Sequence, residues 1–99
     1  AHGVLYCHEG THQGELFFLR QGRNRIASDS AADVVLTPKE GASGADFEAL
    51  CDGAVELVGT APNPYLLNGR AEYRASLVDY DELEICGNRF VYLAVGGES

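Results

Sequence analysis

Three side chains near the start of the chain are of types that serve as nucleophiles, bases or metal ligands in other proteins. Cys7 and His8 are adjacent, and His12 follows four residues later. A thiolate beside an imidazole is a common nucleophilic pair, and cysteine with histidine is a common set of zinc ligands. Adjacent residues of a strand point to opposite faces of its sheet, however, and no fourth ligand is obvious. We therefore predict no enzyme, no catalytic residue and no metal or other cofactor, and we place both histidines on an exposed hairpin. A small enzyme or metal protein built on these residues is kept as an alternative of a different class.

An acidic cluster near the other end of the chain offers oxygen atoms of the kind that bind calcium. It consists of Asp79, Asp81, Glu82 and Glu84. The spacing of these residues is not that of an EF-hand loop, so we interpret them as turn residues. The chain also contains no P-loop, no G-x-S-x-G sequence and no dinucleotide-binding fingerprint.

The overall charge argues against nucleic-acid and membrane partners. The 99 residues include 15 acidic and 7 basic side chains, which give a formal net charge of −8. A field of this sign repels phosphate backbones and anionic lipid heads. No apolar run approaches the roughly 18 residues that a membrane helix needs, and no signal peptide is visible. We expect a domain that makes no membrane contact itself and lies in the cytoplasm, alone or as the cytoplasmic domain of a membrane-anchored protein.

The three cysteines, Cys7, Cys51 and Cys86, are odd in number and far apart. The absence of a C-x-x-C pair excludes a zinc ribbon, and the odd number argues against a disulfide framework. We predict that all three are small buried hydrophobic residues in strands. Such use of cysteine fits a reducing compartment.

Apolar residues recur with a period of two, in short runs bounded by Gly, Asn, Asp or Pro. This pattern indicates about ten brief strands, and no segment keeps a helical period over ten residues. Only residues 46–50 are also compatible with one helical turn. The predicted strands cover residues 4–7, 16–19, 24–27, 34–36, 47–51, 54–58, 65–67, 82–86 and 89–95. Tight turns are predicted at Asp52-Gly53, as type I′, and at Asn68-Gly69 and Gly87-Asn88. The sequence therefore predicts a single all-β antiparallel sandwich.

Four segments, in this order and spacing, carry a family resemblance. They are Arg25-Ile26-Ala27-Ser28-Asp29 followed by Asp33-Val34-Val35-Leu36, Asn63-Pro64-Tyr65-Leu66-Leu67-Asn68-Gly69, Leu77-Val78-Asp79-Tyr80-Asp81-Glu82-Leu83, and Gly87-Asn88-Arg89-Phe90. The first resembles the Ile-Gly-Arg-Asp and Asp-Ile-Val-Leu segments of forkhead-associated (FHA) domains. The second resembles Asn-Gly-Thr-Phe-Val-Asn-Gly of the same family, and the third resembles Leu-x-x-Gly-Asp-Glu-Ile. The resemblance covers residues 4–95 and implies an FHA-like sandwich of ten to eleven strands.

The resemblance also implies a binding surface, with one important departure from the family. FHA domains typically hold a phosphothreonine with an arginine and a serine, and the peptide backbone with an asparagine. Here Ser28 occupies the arginine position, Ser43 matches the serine, and Asn63 matches the asparagine. Lys39 is the only plausible substitute for the missing positive charge. The candidate binding residues on the loop face are Ser28, Lys39, Ser43, Asn63 and Asn68.

These observations predict a non-catalytic protein–protein interaction module that recognises a protein or peptide partner independently of phosphate. The alternative is phosphothreonine binding through Ser28, Lys39, Ser43 and Asn63. Tyr65, Tyr73 and Tyr80 either pack within strands or form a contact surface for a protein. Similarity to divergent FHA domains of bacterial secretion-system and signalling proteins implies a role in assembly or signalling. We expect one domain over residues 1–99, ordered from about 3 to 95, within a larger protein.

Overall fold

The chain forms two β-sheets that pack face to face around one apolar core. The computed structural model describes residues 3–42, 44–59 and 64–95, which contain eleven strands and no helix. No helix in these ranges is long and apolar enough to cross a membrane. The strands are β1 (Gly3–Glu9), β2 (Leu16–Leu19), β3 (Gly22–Ala27), β4 (Val34–Val35), β5 (Asp46–Asp52), β6 (Ala54–Gly59), β7 (Tyr65–Leu67), β8 (Arg70–Glu72), β9 (Arg74–Leu77), β10 (Glu82–Ile85) and β11 (Asn88–Ala94).

The first sheet has six strands in the order β2-β1-β11-β10-β7-β8, and the second has five in the order β4-β3-β5-β6-β9. Neighbouring strands are antiparallel except β3 and β4, which are parallel. The prediction of an all-β sandwich is therefore confirmed. Residues 46–50 belong to β5, so the alternative of a helical turn there was wrong.

Alternation of apolar residues builds the core, as the period of two predicted. In β5, Phe47, Ala49 and Cys51 are buried while the residues between them are half-buried. Cys7 and Cys51 are buried in strands, as predicted. Cys86 is only half-buried and lies between β10 and β11 in a left-handed backbone conformation, so its predicted place in a strand was wrong.

Of the three dipeptides predicted to form tight turns, one, Asn68-Gly69, forms the turn as predicted. Asn68 and Gly69 have φ angles of 51° and 86° and join Leu67 directly to Arg70, as a two-residue type I′ turn requires. The last turn is formed by Cys86-Gly87 rather than by Gly87-Asn88.

The Asp52-Gly53 turn is one residue wider than predicted. Gly53 has a φ angle of 79°, but Cys51 lies opposite Val55 instead of Ala54. A two-residue type I′ turn would pair Cys51 with Ala54. Two short strands, β8 and β9, were not predicted, because their mixture of Arg, Ala, Glu and Ser shows no apolar alternation.

Candidate functional site

Several connections between strands meet at one end of the sandwich, which we call the loop end. It is formed by the described parts of segments 10–15, 28–33, 37–45 and 86–87. Asn88, which is fully buried, joins three of these segments. Its side-chain amide donates to the Thr37 carbonyl at 3.1 Å, and its Oδ1 accepts from the His12 backbone N–H at 3.4 Å. The loop end is therefore a connected structure rather than a set of independent loops.

His12 is part of this framework and not an exposed hairpin residue, which corrects the prediction. Its side chain is 12% exposed. The imidazole Nε2 accepts from the Thr37 backbone N–H at 2.8 Å, and Nδ1 lies 3.2 Å from Glu15 Oε2. This arrangement requires the neutral tautomer with its proton on Nδ1. The imidazole thus fixes the start of segment 37–45.

Ser28 follows β3 directly and ties that strand to segment 37–45. Its Oγ accepts from the Ala45 backbone N–H at 2.7 Å, and its own N–H donates to the Ala45 carbonyl at 3.3 Å. A Cβ atom on Gly44 would lie 3.1 Å from this Oγ, so the two segments are in close contact. The hydroxyl that occupies the arginine position of the resemblance therefore has a structural hydrogen bond.

Arg25, the nearest cation on β3, is paired with carboxylates. Its guanidinium donates to both oxygens of Asp29, at 3.0 and 2.6 Å, and lies 3.7 Å from Asp46. The hydrogen bond raises the pKa of Arg25 and lowers the pKa of Asp29, which also accepts from the Ala31 backbone N–H. The Arg25 backbone N–H donates to Asp33. The carboxylates of Asp29, Asp33 and Asp46 therefore all lie close to Arg25.

Lys39 lies beside the turn between β10 and β11 and is exposed. Its backbone N–H donates to the Cys86 carbonyl at 2.9 Å. Within residues 3–42, 44–59 and 64–95, no carboxylate lies within ion-pair distance of its ammonium group. Lys39 lines a shallow depression together with Glu9, Glu40, Glu84 and Arg89. Ser28 does not line this depression, so the two candidate residues do not share it.

A second shallow depression, of about 200 Å³, lies between the ends of β5, β7 and β10. Its lining includes Phe47, Pro64 and Leu66, and Glu84 is the charged member of the set. Neither Ser28 nor Lys39 contributes to it. The depression is partly apolar, and its described lining offers no positively charged side chain to a phosphate.

Asn68 lies at the opposite end of the sandwich from Ser28. Strand β7 starts at the loop end and runs away from it, and Asn68 follows its last residue. The Asn68 side chain donates to Asp81 and accepts from the Glu82 backbone N–H, each at 3.0 Å. The prediction that Asn68 belongs to the loop face was wrong, because the residue holds the turn before β10. Ser43 and Asn63 lie outside the described residues.

The candidates for catalysis and metal binding do not assemble into a site. Cys7 is fully buried, and burial raises the pKa of its thiol, while burial raises the pKa of Cys86 to about 11. His8 Nε2 is buried without a hydrogen-bond partner in the described structure. The described residues hold no cluster of three or more His, Cys, Asp or Glu side chains that could bind a metal ion. Because burial raises the pKa of both thiols, Cys7 and Cys86 are protonated near neutral pH.

The acidic cluster of residues 79–84 shapes a turn. Asp79 accepts from the Ala94 backbone N–H at 2.8 Å, and Asp81 accepts from the Val78 backbone N–H at 2.8 Å. These carboxylates cap backbone groups just after β9 and at the end of β11. Their role agrees with the turn chemistry interpreted from the sequence.

Comparison by sequence finds no relative: no protein-family model matches the chain, and no curated protein does. Comparison of structures finds close matches over nearly the whole chain. The cytoplasmic domain of the T3SS sorting platform protein PscD from P. aeruginosa is 22% identical, with a TM-score of 0.78 over 99% of this chain and 84% of that one.

Two further matches are FHA domains. The N-terminal FHA domain of Rad53p from S. cerevisiae, solved with a phosphothreonine peptide, is 18% identical, with a TM-score of 0.77 over 96% of this chain and 94% of that one. The FHA domain of the CT664 protein from Chlamydia trachomatis is 20% identical, with a TM-score of 0.77 over 97% of this chain and all of that one. The protein is an all-β sandwich with the FHA fold.

Proposed function

We propose that this chain is a non-catalytic protein-interaction module that recognises its partner without a phosphate group. The observation that carries the proposal is the chemistry of the arginine position. Ser28 stands there, its Oγ is hydrogen-bonded to the Ala45 backbone, and it brings no charge. The nearest arginine on the same strand, Arg25, is paired with Asp29 and Asp46.

Electrostatics at the loop end support the proposal. A phosphate placed at Ser28 would lie next to the Asp29 carboxylate, and Arg25 would have to leave two carboxylates in order to bind it. A phosphothreonine carries nearly two negative charges at neutral pH, so like-charge repulsion opposes its approach. Loss of an arginine contact removes about 1.5–3 kcal/mol of charge-assisted hydrogen bonding. That corresponds to roughly one to two decades of affinity.

The fold supports an interaction role rather than a catalytic one, although function does not follow from fold alone. Proteins of the same fold include a phosphothreonine-peptide complex and the cytoplasmic domain of a T3SS sorting platform protein. Another matching structure is the FhaA FHA domain complexed with the intracellular domain of Rv3910. By analogy, we place this chain in the cytoplasm, as one domain of a larger signalling or secretion-assembly protein.

Restoring the arginine gives the sharpest test. Wild-type protein and the variant Ser28→Arg are titrated with a phosphothreonine peptide library and its unphosphorylated counterpart, with fluorescence anisotropy as the readout. We expect no phosphate-dependent binding below millimolar concentration for wild type, and a gain of about tenfold or more for Ser28→Arg. Ser28→Ala is the matched control and should behave as wild type. Sub-millimolar, phosphate-dependent binding by the wild-type protein would sink the proposal.

The second candidate function is phosphothreonine binding through Lys39. The observation in its favour is that the Lys39 ammonium has no ion-pair partner among the described residues. Under this alternative, Lys39→Ala abolishes a phosphate-dependent signal that wild type already shows. Under the first proposal, wild type shows no such signal and Lys39→Ala changes nothing.

A further inference from the structure

The outer face of the six-stranded sheet is apolar near its β2 edge. Antiparallel partners that lie directly opposite each other share one face of a sheet. Val4 lies opposite Phe18 on β2 and Leu93 on β11, and Tyr6 lies opposite Leu16 and Val91 in the same way. Leu5 and Cys7, which alternate with them on β1, point into the core. We call these six outward side chains the apolar face: Val4, Tyr6, Leu16, Phe18, Val91 and Leu93.

The apolar face is open to solvent where it reaches the edge of the sheet. Phe18 is 60% exposed and Leu16 is 50% exposed, while Tyr6 is 37% exposed. The outward positions of an antiparallel sheet are normally polar when they face water. A contiguous group of exposed apolar residues marks an interaction surface more often than single exposed residues do.

The edge itself lacks the protection that edge strands usually have. Strands β8 and β9 are edges that carry charged residues, and β4 is an edge only two residues long. The four residues of β2 are Leu16, Phe17, Phe18 and Leu19, without charge, proline or bulge. Natural sheets block free edges with such devices, so an unprotected apolar edge is suited to pairing with another strand.

The backbone of β2 has hydrogen-bonding groups directed away from the sheet. The Cys7 backbone N–H donates to the Glu15 carbonyl at 2.9 Å, and the Cys7 carbonyl accepts from the Gly14 N–H at 2.7 Å, so Gly14 and Glu15 both lie opposite Cys7. Because backbone groups alternate in direction along an antiparallel ladder and Leu5 lies opposite Phe17, the backbone groups of Phe17 bond to β1, whereas those of Leu16 and Phe18 point outward. No strand of the described structure lies beyond β2. An added strand would therefore meet backbone groups and exposed side chains at the same two residues.

Charge indicates what kind of strand fits. Glu15 stands at the start of β2, where it is 55% exposed and lies 3.2 Å from His12, and the exposed Arg20 follows the last residue of the strand. The whole chain carries a net charge of −8. A second copy of the whole chain would bring the same net negative charge, whereas a basic segment of a partner would complement that net charge.

We propose that the free edge of β2 and the apolar face bind an extended segment of a partner protein in which apolar residues alternate with lysine or arginine. The segment adds to the sheet as a seventh strand, with its apolar residues beside Leu16 and Phe18 and its basic residues on the side of Glu15. Main-chain hydrogen bonds supply affinity, and the alternate side chains supply specificity. This inference rests on the proposed interaction function and names its surface.

The test begins with selection of random heptapeptides displayed on phage against immobilised wild-type protein, because such peptides carry no phosphate. We expect enriched peptides to alternate apolar and basic residues. Added to ¹⁵N-labelled protein as synthetic peptides, they should shift the amide signals of residues 15–19.

The variant Phe18→Lys should weaken the binding of these peptides about tenfold or more, because it places a cation on the edge. Val35→Lys, at an exposed position of β4 in the other sheet, is the matched control and should bind as wild type does. If Phe18→Lys does not fold, Leu16→Ser removes an apolar contact without adding charge.

Three results would overturn the inference. The first is that no peptide is enriched, or that the enriched peptides are acidic. The second is that peptides bind Phe18→Lys and wild type equally, or shift signals of the loop end instead of β2. This result leaves the proposed function intact, since the binding is independent of phosphate. The third is a wild-type dimer in sedimentation velocity that Phe18→Lys dissociates, which would assign the edge to a second copy. Failure of the proposed function has a different signature, namely phosphate-dependent binding that Phe18→Lys does not alter.

Discussion

Individual side chains determine the charge of the loop end. Arg25 is held by two hydrogen bonds to Asp29 and lies close to Asp46, so its positive charge is largely neutralised within the protein. Charge-assisted pairs of this bidentate kind are stronger and more geometrically specific than single contacts. An incoming anion therefore has to compete with carboxylates that are already in place.

The Arg25–Asp29 pair predicts a dependence of stability on pH. The Arg25 hydrogen bond is the main reason that the pKa of Asp29 in the folded protein lies below its ordinary value. A carboxylate of this kind stabilises the fold above its unfolded pKa of about 4, and the contribution is lost as the pH falls through the lower folded pKa. We expect the free energy of unfolding by urea to decrease below about pH 4 in wild type, and to decrease less in Asp29→Asn. The difference should shrink in about 0.5 M NaCl, since both side chains are exposed. Identical pH profiles for the two proteins would contradict this role.

At the scale of elements, one tyrosine connects the two sheets. Tyr65 on β7 is buried, and its hydroxyl donates to the Leu57 carbonyl on β6 at 2.8 Å. Its ring also packs edge-on against Phe47 on β5, with ring centroids 5.7 Å apart. Burial raises the pKa of Tyr65 to about 12, so the hydroxyl remains a donor throughout the neutral range. The sheets are thus joined by a directional bond in addition to apolar packing.

Removal of that hydroxyl should measure the bond. In Tyr65→Phe the aromatic packing is kept while the hydrogen bond between the sheets is lost, so we expect a loss of about 1 kcal/mol in the free energy of unfolding. Urea denaturation followed by circular dichroism provides the measurement. Tyr80→Phe changes a hydroxyl on a side chain that is 72% exposed and should leave stability unchanged. Equal losses of unfolding free energy in the two variants would show that the hydrogen bond from Tyr65 to Leu57 does not stabilise the fold.

The same scale shows where local sequence patterns succeed and where they fail. Strand β7 was predicted with its observed bounds, because Asn68-Gly69 can adopt the left-handed conformations of a type I′ turn. The turn after β10 was displaced by one residue, because Cys86 adopts a left-handed conformation that its residue type does not favour. Asn88 is thereby released from the turn and buried as a connector of the loop end. A rule based on local dipeptides cannot detect this, because the hydrogen bond of Asn88 to Thr37 joins residues far apart in the sequence.

At the scale of the whole molecule, the fold was predictable and much of the site was not. The fold follows from alternation and turn spacing, which are local properties that recur along the chain. The contacts of His12 with Thr37 and of Ser28 with Ala45 join residues 25 and 17 positions apart, and no periodicity records them. The direction of β7 separates Asn68 from Ser28, although both belong to segments of one family resemblance. The family resemblance gives the order of these segments along the chain, but it does not show which segment lies at which end of the sandwich.

The position of β1 and β11 has a consequence for how the protein folds during synthesis. These strands come from the two extremes of the described chain, and Gly3 lies opposite Ala94 in the interior of the six-stranded sheet. While the chain is still emerging from the ribosome, β1 can pair only with β2, and the sheet is completed when β11 has left the exit tunnel. Pairing β1 with β11 closes a loop of nearly the whole described chain, and the entropic cost of that closure comes before the stabilisation by the pairing. Folding should therefore be a late, concerted event.

We expect stopped-flow refolding of the full chain in about milliseconds to seconds. A chain that ends after Asp81 should stay unfolded by circular dichroism; native-like structure in that fragment would show that the fold does not wait for its last strand.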